Sequence, residues 1–172
     1  MSSLRTIVLI GPMGVGKSTV GRLVADRLAR PLIDSDILIW RSVGMSAADV
    51  AQTAGVERLH EIEALVLERS LERSAGAVIT AAASVVDDPG LVERLREGRE
   101  FVGLLTAGPQ ECVRRSAQGG NRRPMTAEQH RELYERRIES YRRAADIEID
   151  TTSLDALEVA ELLINAIWVS WP

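Results

Sequence analysis

The chain has 172 residues, 45% of them hydrophobic, with a formal net charge of −4 at pH 7. That length and apolar content sustain one folded domain with a real core and exclude a disordered chain. The acidic balance argues against a general nucleic-acid binder, because affinity for a phosphate backbone needs a positive surplus. One cysteine, Cys112, leaves no internal disulfide, and with only His60 and His130 beside it a zinc site has poor material. No stretch approaches the roughly 20 apolar residues of a membrane span. The apolar run near the N-terminus is too short for a signal-peptide core, so a cytoplasmic protein, a monomer or weak dimer, is expected.

In chain order, residues 7–10 (Ile-Val-Leu-Ile) read as a short buried strand. It feeds Gly11, Pro12, Met13, Gly14, Val15, Gly16, Lys17, Ser18 and Thr19, a complete G-x-x-x-x-G-K-[ST] phosphate-binding loop. Val20, Leu23, Val24 and Leu28 then recur at helical spacing. A strand, a glycine loop and a helix in succession aim backbone N–H groups and the positive end of a helix dipole at phosphate oxygens. Lys17 is expected to reach the β- and γ-phosphates and the Ser18 hydroxyl to bind Mg²⁺. The context, more than the pattern alone, points to a nucleoside triphosphate.

Pro31–Asp34 is a second extended run, ending in Asp34-Ser35-Asp36. Ser46 with Asp49 three residues on suggests a capped helix start, and Gly55 precedes an amphipathic repeat of Leu59, Ile62, Leu65, Val66 and Leu71. Ala77–Thr80 and Phe101–Leu105 read as strands flanking a helix opened by Asp88-Pro89 and closed by Gly98. Pro109 opens another helix, in which Cys112 reads as a buried structural thiol. A polar, glycine-containing basic loop over residues 116–124 precedes a charged helix to about Ala145. A strand, Ile147–Asp150, and a last helix from a Ser153 cap to near Trp168 complete the chain. About five strands separated by helices imply right-handed crossovers and a parallel sheet covered on both faces, a three-layer α/β fold.

Phosphoryl transfer needs a metal, charge neutralisation around the transferred group and an acceptor held in line. In an open parallel sheet the carboxyl ends of the strands face the ligand crevice. There Asp34 is placed to orient a Mg²⁺-bound water and Asp36 to accept a hydrogen bond from an acceptor hydroxyl; capping of a following helix by Asp36 is the plainer alternative. Arg122-Arg123-Pro124 in the glycine-flanked loop resembles a lid that closes on phosphates. Position alone does not single out Arg137, four residues before Tyr141.

The phosphate loop, Asp34 and Asp36, Arg123-Pro124 and Arg137-x-x-x-Tyr141 together resemble the shikimate kinases in order and spacing, over nearly the whole chain from Ile7 to about Ile167. The resemblance implies a P-loop kinase of the nucleoside-monophosphate-kinase type, with a five-stranded parallel sheet, a lid at about residues 116–126 and an acceptor-binding helical region at about residues 36–64. It implies ATP and Mg²⁺ at Lys17 and Ser18, Asp34 in the metal shell, and Asp36 as partner of the acceptor hydroxyl. It further implies phosphate contact by Arg123, carboxylate binding by Arg137 and stacking of adenine on Arg115.

Two departures fall on the acceptor side. The family carries Gly-Glu-x-x-Phe-Arg-x-x-Glu, whose arginine forks the shikimate carboxylate; here residues 55–63 read Gly-Val-Glu-Arg-Leu-His-Glu-Ile-Glu, so His60 stands at the arginine position. Imidazole offers no bidentate equivalent, and loss of such a pair in a dry pocket costs on the order of 2–5 kcal/mol. The family's Gly-Gly-Gly run is Ala81, Ala82 and Ala83 here; three added methyl groups are expected to narrow the floor of the site, and alanine resists the angles open to glycine. His60 is either an ordinary helix histidine paired with Glu57 or Glu63, or a hydrogen-bonding contact to a different acceptor. The sequence thus points to an ATP- and Mg²⁺-dependent kinase of a small hydroxylated acceptor with shifted specificity. A divergent shikimate kinase and a nucleotide-binding regulator without transfer activity remain as alternatives.

Overall fold

The computed structural model describes residues 5–117 and 125–170. Five strands, β1 (Ile7–Ile10), β2 (Leu32–Asp34), β3 (Val78–Thr80), β4 (Phe101–Thr106) and β5 (Ile147–Asp150), form one sheet. Its order is β2-β3-β1-β4-β5, and every pairing is parallel. The connecting helices are α1 (Lys17–Leu28), α2 (Ser35–Val43), α3 (Ala47–Ala54), α4 (Val56–Arg73), α5 (Pro89–Glu97), α6 (Pro109–Ala117), α7 (Ala127–Ala144) and α8 (Ala156–Ser170). A 3₁₀ turn, Ala83–Asp87, for which the sequence gives no periodic signal, follows β3. Among the described residues no helix is long and apolar enough to cross a membrane.

Side chains alternate across a strand, so each strand feeds two cores. Val8, Ile10, Ile79, Val102 and Leu104 pack against Leu67 and Leu71 of α4, Leu91 and Leu95 of α5, and Tyr141 of α7. Ile7, Leu9, Val78, Phe101 and Leu105 pack on the opposite face against Val20 and Val24 of α1 and Val159, Leu163 and Ile167 of α8. After β1 the chain leaves toward β2, and after β4 it leaves toward β5. The crevice at the carboxyl ends of the sheet therefore opens between β1 and β4, where the phosphate loop begins.

The caps show where local sequence decides. Ser46 and Asp49 form a reciprocal capping box on α3, and the Asp88 side chain accepts from the Gly90 and Leu91 amides with Pro89 in the first turn of α5. Two expectations are corrected. The last helix is capped by Asp155, whose carboxylate accepts from the Leu157 and Glu158 amides at 2.8 Å each, and not by Ser153. Glu158 reaches back to the Asp155 amide, which completes the box and places the aspartate one step before the first helical residue. Leu65, expected among the buried repeat of α4, is 44% exposed: beyond its first turns the helix turns a flank outward while Val66, Leu67 and Leu71 hold the core.

Candidate active site

The phosphate loop joins β1 to α1 through Gly11, Gly14 and Gly16, all at positive φ, where no other residue fits without strain. Gly14 has φ +84°, and a Cβ there would lie 2.3 Å from the Cys112 carbonyl oxygen of α6. Gly16 caps α1 at φ +98° with open space around it, so the left-handed backbone alone requires glycine. Lys17 follows as the first helical residue and is buried; its Nζ donates to the Gly11 and Pro12 carbonyls at 2.7 and 2.8 Å. Gly11 and Val15 are buried, Met13 and Ser18 half-buried, and Thr19 exposed. Arg115 is pinned beside the loop: its guanidinium donates to the Thr151 hydroxyl and carbonyl at 2.9 and 2.8 Å, to Glu111, and to the Val15 carbonyl at 3.5 Å. Cys112 is buried in the apolar core, and burial pushes its thiol pKa up, as a structural thiol requires.

At the end of β2 the two aspartates divide their work differently from the simple expectation. Asp34, not Asp36, caps α2: its Oδ1 accepts from the Asp36 amide at 3.0 Å and its Oδ2 from the Thr80 hydroxyl at 3.0 Å. Thr80 stands opposite Asp34 in the strand register, so the carboxylate is oriented from two elements at once. Asp36, in the first turn of α2, faces the cavity.

That cavity, about 450 Å³, runs from Pro12, Met13 and Lys17 to the α4–α7 side. It gathers Met13, Lys17, Asp36, His60, Ala82, Ala83 and Arg137, which are far apart in sequence. Gly11, Gly14, Val15, Gly16, Ser18, Thr19, Asp34 and Arg115 are not among its lining. Arg123, with the rest of the expected lid core at residues 118–124, lies outside the described residues.

The far wall differs from expectation in three ways. Arg137 is buried on α7, and both its Nε (2.8 Å) and its Nη2 donate to the carboxylate of Asp87, the last residue of the 3₁₀ turn. Sequence reasoning missed Asp87, and the only local signal was an acidic pair at 87–88 of which Asp88 is the helix cap. His60 also meets this carboxylate, Nδ1 to Oδ2 at 3.8 Å, besides the charge of Glu57, one of the two partners expected of a plain helix histidine. Burial lowers the His60 pKa, with Asp87 opposing and Arg137 adding to that effect, so the imidazole is neutral at pH 7.

Second, Glu63 is buried and accepts from the Ser84 hydroxyl, so a second carboxylate lies at this end of the cavity. Third, the alanines need no unusual backbone: Ala82 has φ −63°, and among the described residues Ala29 is the one non-glycine with positive φ. The expected conformational penalty is therefore absent, whereas the methyl groups of Ala82 and Ala83 do line the floor. Tyr141, fully buried, fixes that floor by donating to the Ala83 carbonyl at 2.6 Å. His130, 4% exposed, also lines the cavity, and its Nε2 has no hydrogen-bond partner.

The comparisons with known proteins agree with this arrangement. A model of the shikimate kinase family matches residues 13–168. The shikimate kinase of Caldanaerobacter subterraneus subsp. tengcongensis is 36% identical over 168 residues, 95% of this chain and 96% of that protein. The shikimate kinase of Rhodococcus erythropolis is 32% identical over 163 residues, 92% of this chain and 94% of that protein. Among solved structures, a shikimate kinase from Acinetobacter baumannii in complex with shikimate superposes with a TM-score of 0.90 at 28% identity, covering 98% of this chain and 95% of that one. A phosphate loop opening the crevice of a five-stranded parallel αβα sheet, matched over nearly its whole length, places this chain in the shikimate kinase family, an ATP-dependent phosphotransferase that acts on a hydroxyl group.

Proposed function

We propose that the chain transfers the γ-phosphate of ATP to a hydroxyl of a small ring polyol held in the cavity, and that its acceptor preference has moved away from carboxylated shikimate. The observation that carries the second half is the Asp87 carboxylate seated on both nitrogens of the Arg137 fork, beside a neutral His60 where the family has an arginine. On the nucleotide side the phosphate loop, Lys17 and Arg115 support this reading. Backbone N–H groups of residues 13–18 would cradle the phosphates, and Lys17, now on loop carbonyls, would turn to the γ-phosphate. Arg115 stands by the loop for the base, and Arg123 is assigned the lid role on sequence grounds alone.

A hydroxyl at Ser18 and a carboxylate at Asp34 are hard oxygen donors that suit Mg²⁺, which takes few protein ligands and shares the rest with phosphates and water. Among the described residues no cluster of three or more His, Cys, Asp or Glu is assembled to hold a metal alone, which fits an ion that arrives with the nucleotide. When bound, the ion would neutralise charge on the phosphates. Asp36 would accept a hydrogen bond from the attacking hydroxyl and align it, and Asp34 would stay oriented through Thr80 and the α2 cap.

A second reading is that shikimate itself is the acceptor. The names of the relatives support it more strongly than they support a shifted acceptor, and the structural neighbour bound to shikimate has the same fold along its whole length. A coupled ADP-release assay separates the two. With millimolar shikimate and a panel of ring polyols lacking a carboxylate, the first reading predicts the higher kcat/KM on an uncharged member. A kcat/KM at least tenfold higher on shikimate than on every uncharged ring would establish the second.

A further inference from the structure

We propose that Asp87 is a specificity-determining residue: it fills the anion site of Arg137 from within the chain, so the acceptor is an uncharged polyol and carboxylated rings are discriminated against. This rests on the reading of the cavity as an acceptor site. It deepens that reading by naming the charge class of the acceptor.

An arginine recognises a carboxylate best through two parallel N–H donors in one plane, and Arg137 has one such edge, Nε with Nη2, committed to Asp87. The arginine is held still: its side chain is 10% exposed and sits on α7 one turn before the buried Tyr141, which is bonded to Ala83. An incoming carboxylate therefore has to displace Asp87 before it gains the same two bonds, which leaves little net gain from the exchange. Asp87 itself has somewhere to go. Its side chain is 29% exposed and it ends a short 3₁₀ turn.

The surrounding charge points the same way. Burial tends to lower the Arg137 pKa, but the hydrogen bonds and charge of Asp87, with Tyr141 and Glu63, raise it overall, and two carboxylates, Asp87 and Glu63, already act on the cation. His60 adds no charge at neutral pH, and Glu63 places a further carboxylate on the cavity wall. A second anion brought into this corner meets like charges at low solvent exposure. Hydroxyl groups, in contrast, find acceptors in the carboxylates and a donor or acceptor in the imidazole.

The test is calorimetric titration of the full chain with shikimate and with its methyl ester, a ring of nearly the same shape that lacks the charge. Wild type is expected to bind the ester at least as tightly as the acid. Asp87→Ala is expected to tighten shikimate at least tenfold and leave the ester within about threefold, with Asp87→Asn between the two. Adding Arg137→Ala to Asp87→Ala should abolish the gain. Wild type that prefers the acid by more than tenfold overturns the proposal. So does an Asp87→Ala protein that binds shikimate no better than wild type, including the case in which neither ligand binds. A loss of shikimate affinity in Asp87→Ala would show instead that Asp87 positions Arg137 for a substrate carboxylate. Because binding is read without turnover, these outcomes are independent of whether ATP-dependent transfer is observed.

Discussion

At the scale of single residues, the proposed chemistry concentrates on Lys17, which is also the only lysine in the chain. Its ammonium is buried against two loop carbonyls, within reach of any phosphate the loop cradles. An acyl-phosphate derivative of ATP, which acylates amines beside the γ-phosphate position, is expected to label a single side chain, Lys17, and added ATP to suppress that label. Mass spectrometry of a tryptic digest reads this directly; no label at Lys17, or a label indifferent to ATP, would contradict the assignment. The loop residues and the Asp34–Asp36 pair stand out by motif and position, whereas Arg137 is pointed to only by the family resemblance. Asp87 was not legible, because its importance comes from a contact 50 residues away that no local pattern encodes. The same holds for the Tyr141 bond to Ala83, which turns a sequence neighbour of Arg137 into the anchor of the cavity floor. The aspartates at β2 were found correctly but their cap was misread, since either one precedes an apolar run and only the backbone of Asp34 is extended (φ −102°, ψ 122°).

At the scale of elements, periodicity and punctuation carried the reading. Strands were visible as short apolar runs ended by glycine or acid, and helices as 3.6-residue repeats opened by Ser, Asp or Pro. Elements too short for a period were invisible: the 3₁₀ turn Ala83–Asp87 spans 5 residues, and it is the one that carries Asp87 to Arg137 and His60. The α8 start shows how a cap is chosen. Ser153 and Asp155 are both capping residues, but Glu158 lies three beyond Asp155 and closes the reciprocal box there. Asp155→Ala should therefore lower stability by about 1 kcal/mol, a fall in Tm of roughly 2–4 °C for a chain of this size, whereas Ser153→Ala should move it by less than half as much. Thermal unfolding followed by circular dichroism reads both; equal effects would restore Ser153 as the cap.

At the scale of the whole molecule, the sheet order explains why motifs scattered over 130 positions converge. Strands β1 and β4 send their connections in opposite directions, so the phosphate loop opens a crevice. Arg115 of α6 comes in beside the loop, and α7 crosses below to supply Arg137 and Tyr141. The helical region from α2 to α4 closes the other side with Asp36, His60 and Glu63. A nucleotide half and an acceptor half can change independently on one scaffold because different elements build them. Loop, α1 and α6 make the first, and α4, the 3₁₀ turn and α7 make the second.

The central claim is transfer of phosphate to an acceptor hydroxyl, and phosphorus NMR of a reaction with ATP, Mg²⁺ and the polyol panel tests it most directly. A new phosphomonoester resonance that grows with ADP is expected in wild type and is expected to be absent in Lys17→Ala. ATP bound by a folded wild type, with only inorganic phosphate or no product from every acceptor including shikimate, would contradict it.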